Sequence, residues 1–410
     1  MMDHYRWYWC VVLAFIGGLP AWAFSPQEAL TYRSNETLAM QARVKAMQAV
    51  YEIARFGTTG TLSTSAQEKI KQSYSLSLSY NPEPLTILEN KHTLDTGIRD
   101  FRKSLRQDIS TALLAHAVLW EAQAGTIVAQ QRETQAGLLA REAERKHALG
   151  AMSDADRELA QIDAADAALA VRRAQQTLDS VKRDARRLTF TDTAETTMLT
   201  FRLPKASVEG TPTFREANWN ALLTQARERK TWRDLRPALV AEAIHLGTMQ
   251  VTSSFSSRGS GSIQLGYPTL YDPTFLFYSA GWTYTLRAEI PLDPIGWMTT
   301  KTAHAESVLA RTQLAAQRDQ LAIQIPRAEQ EAESARETLG LAQDRRRLQQ
   351  RKLDIIQAKA TAGAVSDLDV QTATIAVGDA ETQVARAWKG YISAMTTYLD
   401  LIDGTWEVAP

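Results

Sequence analysis

Cysteine is almost missing from this 410-residue chain: Cys10 is the one thiol, so the rest can hold neither a disulfide framework nor a cysteine-based metal centre. No charge excess exists either. The 46 Lys and Arg balance the 46 Asp and Glu, which argues against a nucleic-acid binder or a polybasic membrane-surface protein. The six histidines are scattered, with no pair at the spacing of a helical metal site. G-x-S-x-G, Walker A and dinucleotide fingerprints are absent as well, so the chain does not read as an enzyme, and no cofactor or metal is expected. The run "GSGS" after Arg258 reads as a flexible surface loop. Beyond residue 23 there is no run of 18 apolar residues, so insertion into a membrane requires strands or surface attachment.

What is present begins at the N-terminus. Arg6 precedes the apolar run "CVVLAFIGGL", and "AWA" at Ala21–Ala23 places small residues at the −3 and −1 positions of a cleavage after Ala23. Residues 1–23 read as a removed secretory signal. Cys10 goes with it, and the residues around it do not form a lipoprotein box.

The chain is duplicated. "LGAMSDAD" at Leu149–Asp156 returns 213 residues later as "AGAVSDLD" at Ala362–Asp369. Downstream of the first copy, Ala160, Ala164, Ala167, Val171, Ala174, Leu178, Val181, Ala185 and Leu188 form a stripe with alternating spacings of four and three. The same offset gives Ala373, Val377, Ala380, Val384, Ala387, Tyr391, Ala394, Tyr398 and Leu401, every one apolar or aromatic. Such a 3.5-residue repeat fits a coiled-coil seam or equally the buried face of any long helix bundle, and its alanines let helices approach closely.

Upstream of each copy lies a long helical segment, Arg99–Leu149 and Met298–Ala362, spanning about 75 and 95 Å at 1.5 Å per residue. Pro326 is expected to kink or open the second. In each turn the glycine, Gly150 or Gly363, suits a left-handed helix end. Ser153 or Ser366 then caps the next helix, with Asp156 or Asp369 three residues on. Each copy is the corner of a helical hairpin. Two further starts carry a capping-box signature: Ser25, Pro26 and Glu28, and Thr213 with Glu216. Their offset of 188 falls short of 213, which puts about 25 extra residues in the second half, with Phe255–Ala280 the candidate segment.

Between first helix and long helix, "SYSLSLSY" sets Tyr74, Leu76, Leu78 and Tyr80 against Ser73, Ser75, Ser77 and Ser79. In the second half Trp282, Tyr284, Leu286, Ala288 and Ile290 oppose Thr283, Thr285, Arg287 and Glu289. This period of two with aromatic ends suits lipid-facing barrel strands. Weaker strands are predicted at 58–65, 249–255 and 263–267. Four or five strands cannot close a barrel, and an open edge in lipid leaves backbone groups unsatisfied at several kcal/mol each. If the strands span a membrane, several protomers must share the barrel.

The order of signal, helix, strands, long helix, G-x-x-S-x-x-D corner and return helix, twice over, resembles the TolC-like outer-membrane efflux proteins. The likeness is strongest at "ALGAMSDADRELAQIDAADAAL" and "TAGAVSDLDVQTATIAVGDAET". It implies a mainly α fold with a small β part. Two repeats of long coiled-coil hairpins would form a homotrimeric α-helical tunnel, topped by a shared 12-stranded outer-membrane barrel with four strands from each protomer. It further implies an outer-membrane location extending into the periplasm, with a periplasmic adaptor and an inner-membrane pump as partners. Carried over residue by residue, it puts Gly150, Ala151, Met152, Ser153 and Asp154, with Gly363, Ala364, Val365, Ser366 and Asp367, at a periplasmic tip where adaptors dock and the closed state is latched.

On this reading the units are the signal at 1–23, a first repeat at 24–188, an irregular connector at 189–214, a second repeat at 215–402 and a tail at 403–410. The first half departs from the family in its short strand region and lacks a proline-led entry into its first strand. The competing reading is a periplasmic coiled-coil scaffold or adaptor, for which the long helices alone suffice and in which "RRRLQQRK" at Arg345–Lys352 is a solvated face. For Asp154 and Asp367 the competing role is plain helix-dipole stabilisation.

Overall fold

A computed structural model of the chain describes residues 25–67, 71–80, 83–188, 190–191, 193–246, 250–257, 260–268, 281–289 and 294–409. The expected signal with Cys10, residues 269–280 of the expected extra segment, and Ile290 lie outside the described residues.

Helix α1 (Pro26–Thr31) starts as its sequence dictates: the Ser25 side chain accepts the Glu28 N–H at 3.3 Å, and Pro26 occupies the first turn, where no N–H is needed. Helix α2 (Asn35–Phe56) follows, capped by Ser34 and ended at Gly57, whose φ of 59° is left-handed. Strands β1 (Thr58–Gln67) and β2 (Lys71–Tyr80) lead into α3 (Pro84–Ala148) and its return, α4 (Asp154–Arg187).

The second half runs α5 (Pro212–Asp234), β3 (Ala238–Leu246), β4 (Gln250–Ser256), β5 (Gly261–Pro268), β6 (Gly281–Glu289), α6 (Pro294–Thr361) and α7 (Asp367–Ile402). The cap of α5 is Thr211, which accepts the Phe214 N–H at 3.3 Å, and not Thr213. Pro212 supplies the first helical residue, so the residue before it must be the cap. Glu216 makes no capping box and turns instead to Arg99 at 2.6 Å and His92 at 3.1 Å on α3.

The two long helices are nearly equal, 65 and 68 residues, or roughly 100 Å each. α3 begins at Pro84, a full 15 residues before the expected start, because α2 and α5 pack along its first turns. At Gly97 an added Cβ would lie 2.6 Å from the Met47 sulfur, so the close approach of α2 requires glycine there. α6 runs on through Pro326, which stands at an exposed position where the carbonyl four residues earlier can turn to water. The extra length of the second half therefore lies in its strand region, between α5 and α6.

The long helices form one layer in the order α4, α3, α7, α6, with α2 on α3 and α5 on α6. Its core sits at mid-height, where Leu113, Leu119, Trp120, Trp388, Tyr391, Ile392 and Tyr398 are buried. Burial of each such side chain is worth about 1.5–3 kcal/mol. α3 includes an 18-residue stretch that is apolar enough to cross a membrane by length and composition, which the sequence reading did not recognise; half of it is buried in this bundle core. The connector and the tail close over the same level. Phe201 pairs with Val408 in an antiparallel bridge, the Tyr391 hydroxyl bonds both the N–H and the C=O of Phe201, and Tyr398 donates to the Pro204 carbonyl at 2.6 Å. Arg106, only 4% exposed, meets Asp400 at 3.0 Å and Asp403 at 2.7 Å, which fastens the end of α7 to α3.

The strands make one antiparallel sheet in the order β1-β2-β5-β4-β3-β6. Five of the six match expected strands. β3, "ALVAEAIHL", was missed because alanine and glutamate mask its alternation. The six strands exceed the four per protomer implied by the resemblance. β1, β2, β3 and β6 have 9 or 10 residues, a membrane-spanning length, whereas β4 and β5 have 7 and 8.

His116 on α3 is buried, and its Nε2–H donates to the Glu195 carbonyl of the connector at 3.0 Å. Burial lowers its pKa to about 4, against the opposing effect of that hydrogen bond. The folded value lies below the ordinary 6.5, so the contribution to stability is complete above that value and is lost as pH falls toward 4. Denaturant midpoints should drop between about pH 7 and about pH 4.5, and His116→Gln, which keeps an N–H donor, should flatten the slope.

Candidate functional site

Two features stand outside the packed core: the pair of hairpin corners at one end and the sheet. At the first corner α3 ends in a Schellman turn. Gly150, at φ 70°, donates to the His147 carbonyl at 2.8 Å, and Ala151 donates to Lys146 at 2.8 Å. Met152 follows, and Ser153 caps α4 by accepting the Asp156 N–H at 3.2 Å. The second corner repeats this atom for atom. Gly363, at φ 71°, donates to Ala360, Ala364 donates to Lys359, Val365 follows, and Ser366 accepts from Asp369. Here the box is reciprocal, because the Asp369 carboxylate also accepts the Ser366 N–H at 3.0 Å. Those bonds from Ser366 hold the Asp369 pKa below the usual carboxylate range.

The corners differ in charge chemistry. Asp154 lies 2.8 Å from the His147 Nε2 across the turn and 3.3 Å from Arg157 on its own helix. The corresponding positions around Asp367 hold Ala360 and Val370, which cannot pair with it. The His147–Asp154 contact escaped the sequence reading, although a histidine seven residues before a turn aspartate, on a folded-back hairpin, was the available signal.

The sheet has two chemically distinct faces. Cross-strand register puts Tyr74, Leu76, Leu78 and Tyr80 of β2 on the same face as Leu265 and Ile263 of β5, Phe255 of β4, Leu239 of β3, and Trp282, Tyr284 and Leu286 of β6. All seven lipid-facing candidates thus share one face, though the side chains of the β2 residues and Trp282 lie outside the described part. Tyr284 and Leu286 are each 74% exposed, and Phe255 is 60% exposed. The opposite face carries serine, threonine, Arg287 and Glu242, interrupted on β3 by Val240 and Ile244, with Ser254 and Ser262 hydrogen-bonded at 2.7 Å. Among the described residues no group of three metal-ligating side chains converges.

No family model and no curated protein matches the sequence. Solved structures do. The CusC transmembrane channel aligns with a TM-score of 0.58 at 14% identity, over 95% of this chain and 96% of that one. The Campylobacter jejuni CmeC outer membrane channel aligns at 0.57 and 13%, over 94% and 86%. The Vibrio cholerae outer membrane protein VceC aligns at 0.55 and 14%, over 93% and 96%. The fold is that of the TolC-like outer-membrane channels, along nearly the full chain.

Both corner glycines have open space around the missing Cβ, so the demand at Gly150 and Gly363 is purely conformational. Ala at either position should cost about 1 kcal/mol in denaturant stability. Replacement of Gly378, where an added Cβ would come within 2.6 Å of Val128, should also force α7 away from α3.

Proposed function

We propose that the chain is the subunit of an outer-membrane efflux channel. The carrying observation is the sheet: one face predominantly apolar and exposed at Tyr284, Leu286 and Phe255, one face predominantly polar, and two edges, β1 and β6, unpaired among the described residues. In lipid such a sheet is stable only when its edges are joined, and copies around a threefold axis would join β6 of one to β1 of the next. In this sheet β5 and β4 stand between β2 and β3, so three copies joined at these edges would have eighteen strands in the wall, and a twelve-stranded barrel would require β2 and β3 to pair directly. The bare aromatic and aliphatic face then meets lipid, and the polar face lines the lumen.

The helical layer, about 100 Å long, would continue this barrel as a tunnel into the periplasm. Its far end carries the two corners from each copy, six in a ring. They would receive a periplasmic adaptor and, through it, an inner-membrane pump that supplies the cargo. Gly150, Ala151, Met152, Ser153 and Asp154, with Gly363, Ala364, Val365, Ser366 and Asp367, form that docking and gating end. Catalysis and cofactors have no part in this role. The scaffold reading explains the helices but leaves the one-faced sheet without purpose.

Purified protein in planar bilayers should conduct ions, and cell fractionation should place it in the outer membrane. Recovery as a soluble periplasmic monomer would refute the channel. Replacing Asp154 and Asp367 together by Ala should raise resting conductance. If conductance is unchanged, their role is confined to the helix starts.

A further inference from the structure

A cleft lined by arginine lies where α5 and α6 approach the sheet. It encloses about 400 Å³, and four guanidiniums border it: Arg229 and Arg233 of α5, Arg236 just past its end, and Arg311 of α6. The chain as a whole carries no net charge, so four guanidiniums against one bordering carboxylate, Glu228, are a local excess. Gln225, Arg229 and Trp232 follow at spacings of four and three, which puts them on one face of α5. With the Gln225 amide oriented to accept, its oxygen takes a hydrogen bond from Arg229 and another from Arg311, each at 3.1 Å. Two cations thus converge on a neutral group, and among the described residues neither makes an ion pair. Glu228 turns instead to the His304 Nδ1 of α6, 2.8 Å away, and Arg233 has Asp234 at 3.6 Å.

The cleft also has an apolar rim. Trp232 lines it and meets Trp297 of α6 edge to face, with ring centroids 6.0 Å apart. Both indoles are exposed, and Met298 beside Trp297 is 73% exposed. α5 ends at Asp234 and β3 starts at Ala238, while β6 ends at Glu289 and α6 starts at Pro294, so this rim stands at the junction of helices and sheet. If the sheet spans a membrane, that junction is the boundary with water, where indoles settle with an apolar body in lipid and a polar edge outside. Guanidinium forks match the oxygens of a phosphate and are weakly hydrated, which suits them to such a boundary.

We infer that this cleft binds the phosphate of an anionic phospholipid in the leaflet facing the periplasm. Arg229 and Arg311 hold the phosphate oxygens, Arg233 and Arg236 add positive potential, and the acyl chains run past Trp232, Trp297 and Met298 toward the sheet. Gln225 keeps the two converging guanidiniums together before the lipid arrives, so less ordering is left for the binding step. A soluble phosphate shares the headgroup chemistry but gains nothing from the indole rim. The height of the cleft in the membrane rests on the channel reading proposed above, whereas the arginine cluster does not.

The test is native mass spectrometry of the full mature chain, released from detergent after addition of phosphatidylglycerol, phosphatidylcholine or inorganic phosphate. Phosphatidylglycerol should be retained at about one tenth the concentration that phosphatidylcholine needs, and an equal concentration of inorganic phosphate should not displace it. Arg229→Gln with Arg311→Gln should weaken that retention about tenfold, while Arg327→Gln, in an exposed pair with Glu331 elsewhere on α6, should not. A phosphatidylglycerol with a diazirine on its headgroup should label the unmodified protein within 225–236 or next to Arg311, a readout that needs no variant to fold. Displacement by equal inorganic phosphate overturns the lipid as occupant. Undiminished retention in the double variant, or labelling only elsewhere, overturns the cleft. A conducting channel that retains no phosphatidylglycerol overturns this site and leaves the channel reading standing. Retention that the double variant loses, in a protein that does not conduct, overturns the channel reading and supports the phosphate site.

Discussion

A β-strand at the edge of a sheet presents a row of N–H and C=O groups, and in lipid each one left unpaired costs several kcal/mol. In this chain β1 and β6 carry such edges, on a sheet whose apolar face is uncovered. The helical layer has the same incompleteness: among the described helices α4 packs against α3, and α6 against α7 and α5, at the two ends of the layer. In the proposed channel, pairing of these open edges is the condition on which the rest of the structure depends. In the proposed channel, a ring of copies would let a sheet of six strands and a layer of helices be stable without a covering layer of their own.

Given that condition, the mid-height clamp has a clear purpose. Two hairpins of roughly 100 Å would shear past each other if only alanine seams held them. The buried Arg106 between Asp400 and Asp403, the aromatic contacts of Phe201 with Trp388, Tyr391 and Trp406, and the bridge between Phe201 and Val408 hold connector, tail and both repeats at one level. A buried ion pair of this type adds less net stability than register, because much of its attraction repays desolvation. Near the first corner the ties among the described residues are exposed ones, such as His147 with Asp154.

Local chemistry was readable from the sequence, whereas long-range chemistry was not. The corner geometry followed from glycine, serine and aspartate at set spacing, since a left-handed residue and a cap are decided within a single turn. The strict alternation of "SYSLSLSY" likewise gave β2. β3 was hidden by helix-forming alanines, and the start of α3 was placed too late, because in both cases the partner that stabilises the element is distant in sequence. Thr211, and not Thr213, caps α5 because Pro212 beside it fills the first helical position. The clamp of connector and tail joins residues about 200 positions apart, which no periodicity reveals. The duplication itself was legible, because both corners repeat the same local chemistry at a fixed offset.

The central claim is that one chain cannot close either layer and three can. Sedimentation equilibrium of the mature protein in a density-matched detergent measures this directly. A mass of three chains, holding over a wide range of dilution, is the predicted result. A single-chain mass, or a two-chain mass from a closed dimer, would contradict the account.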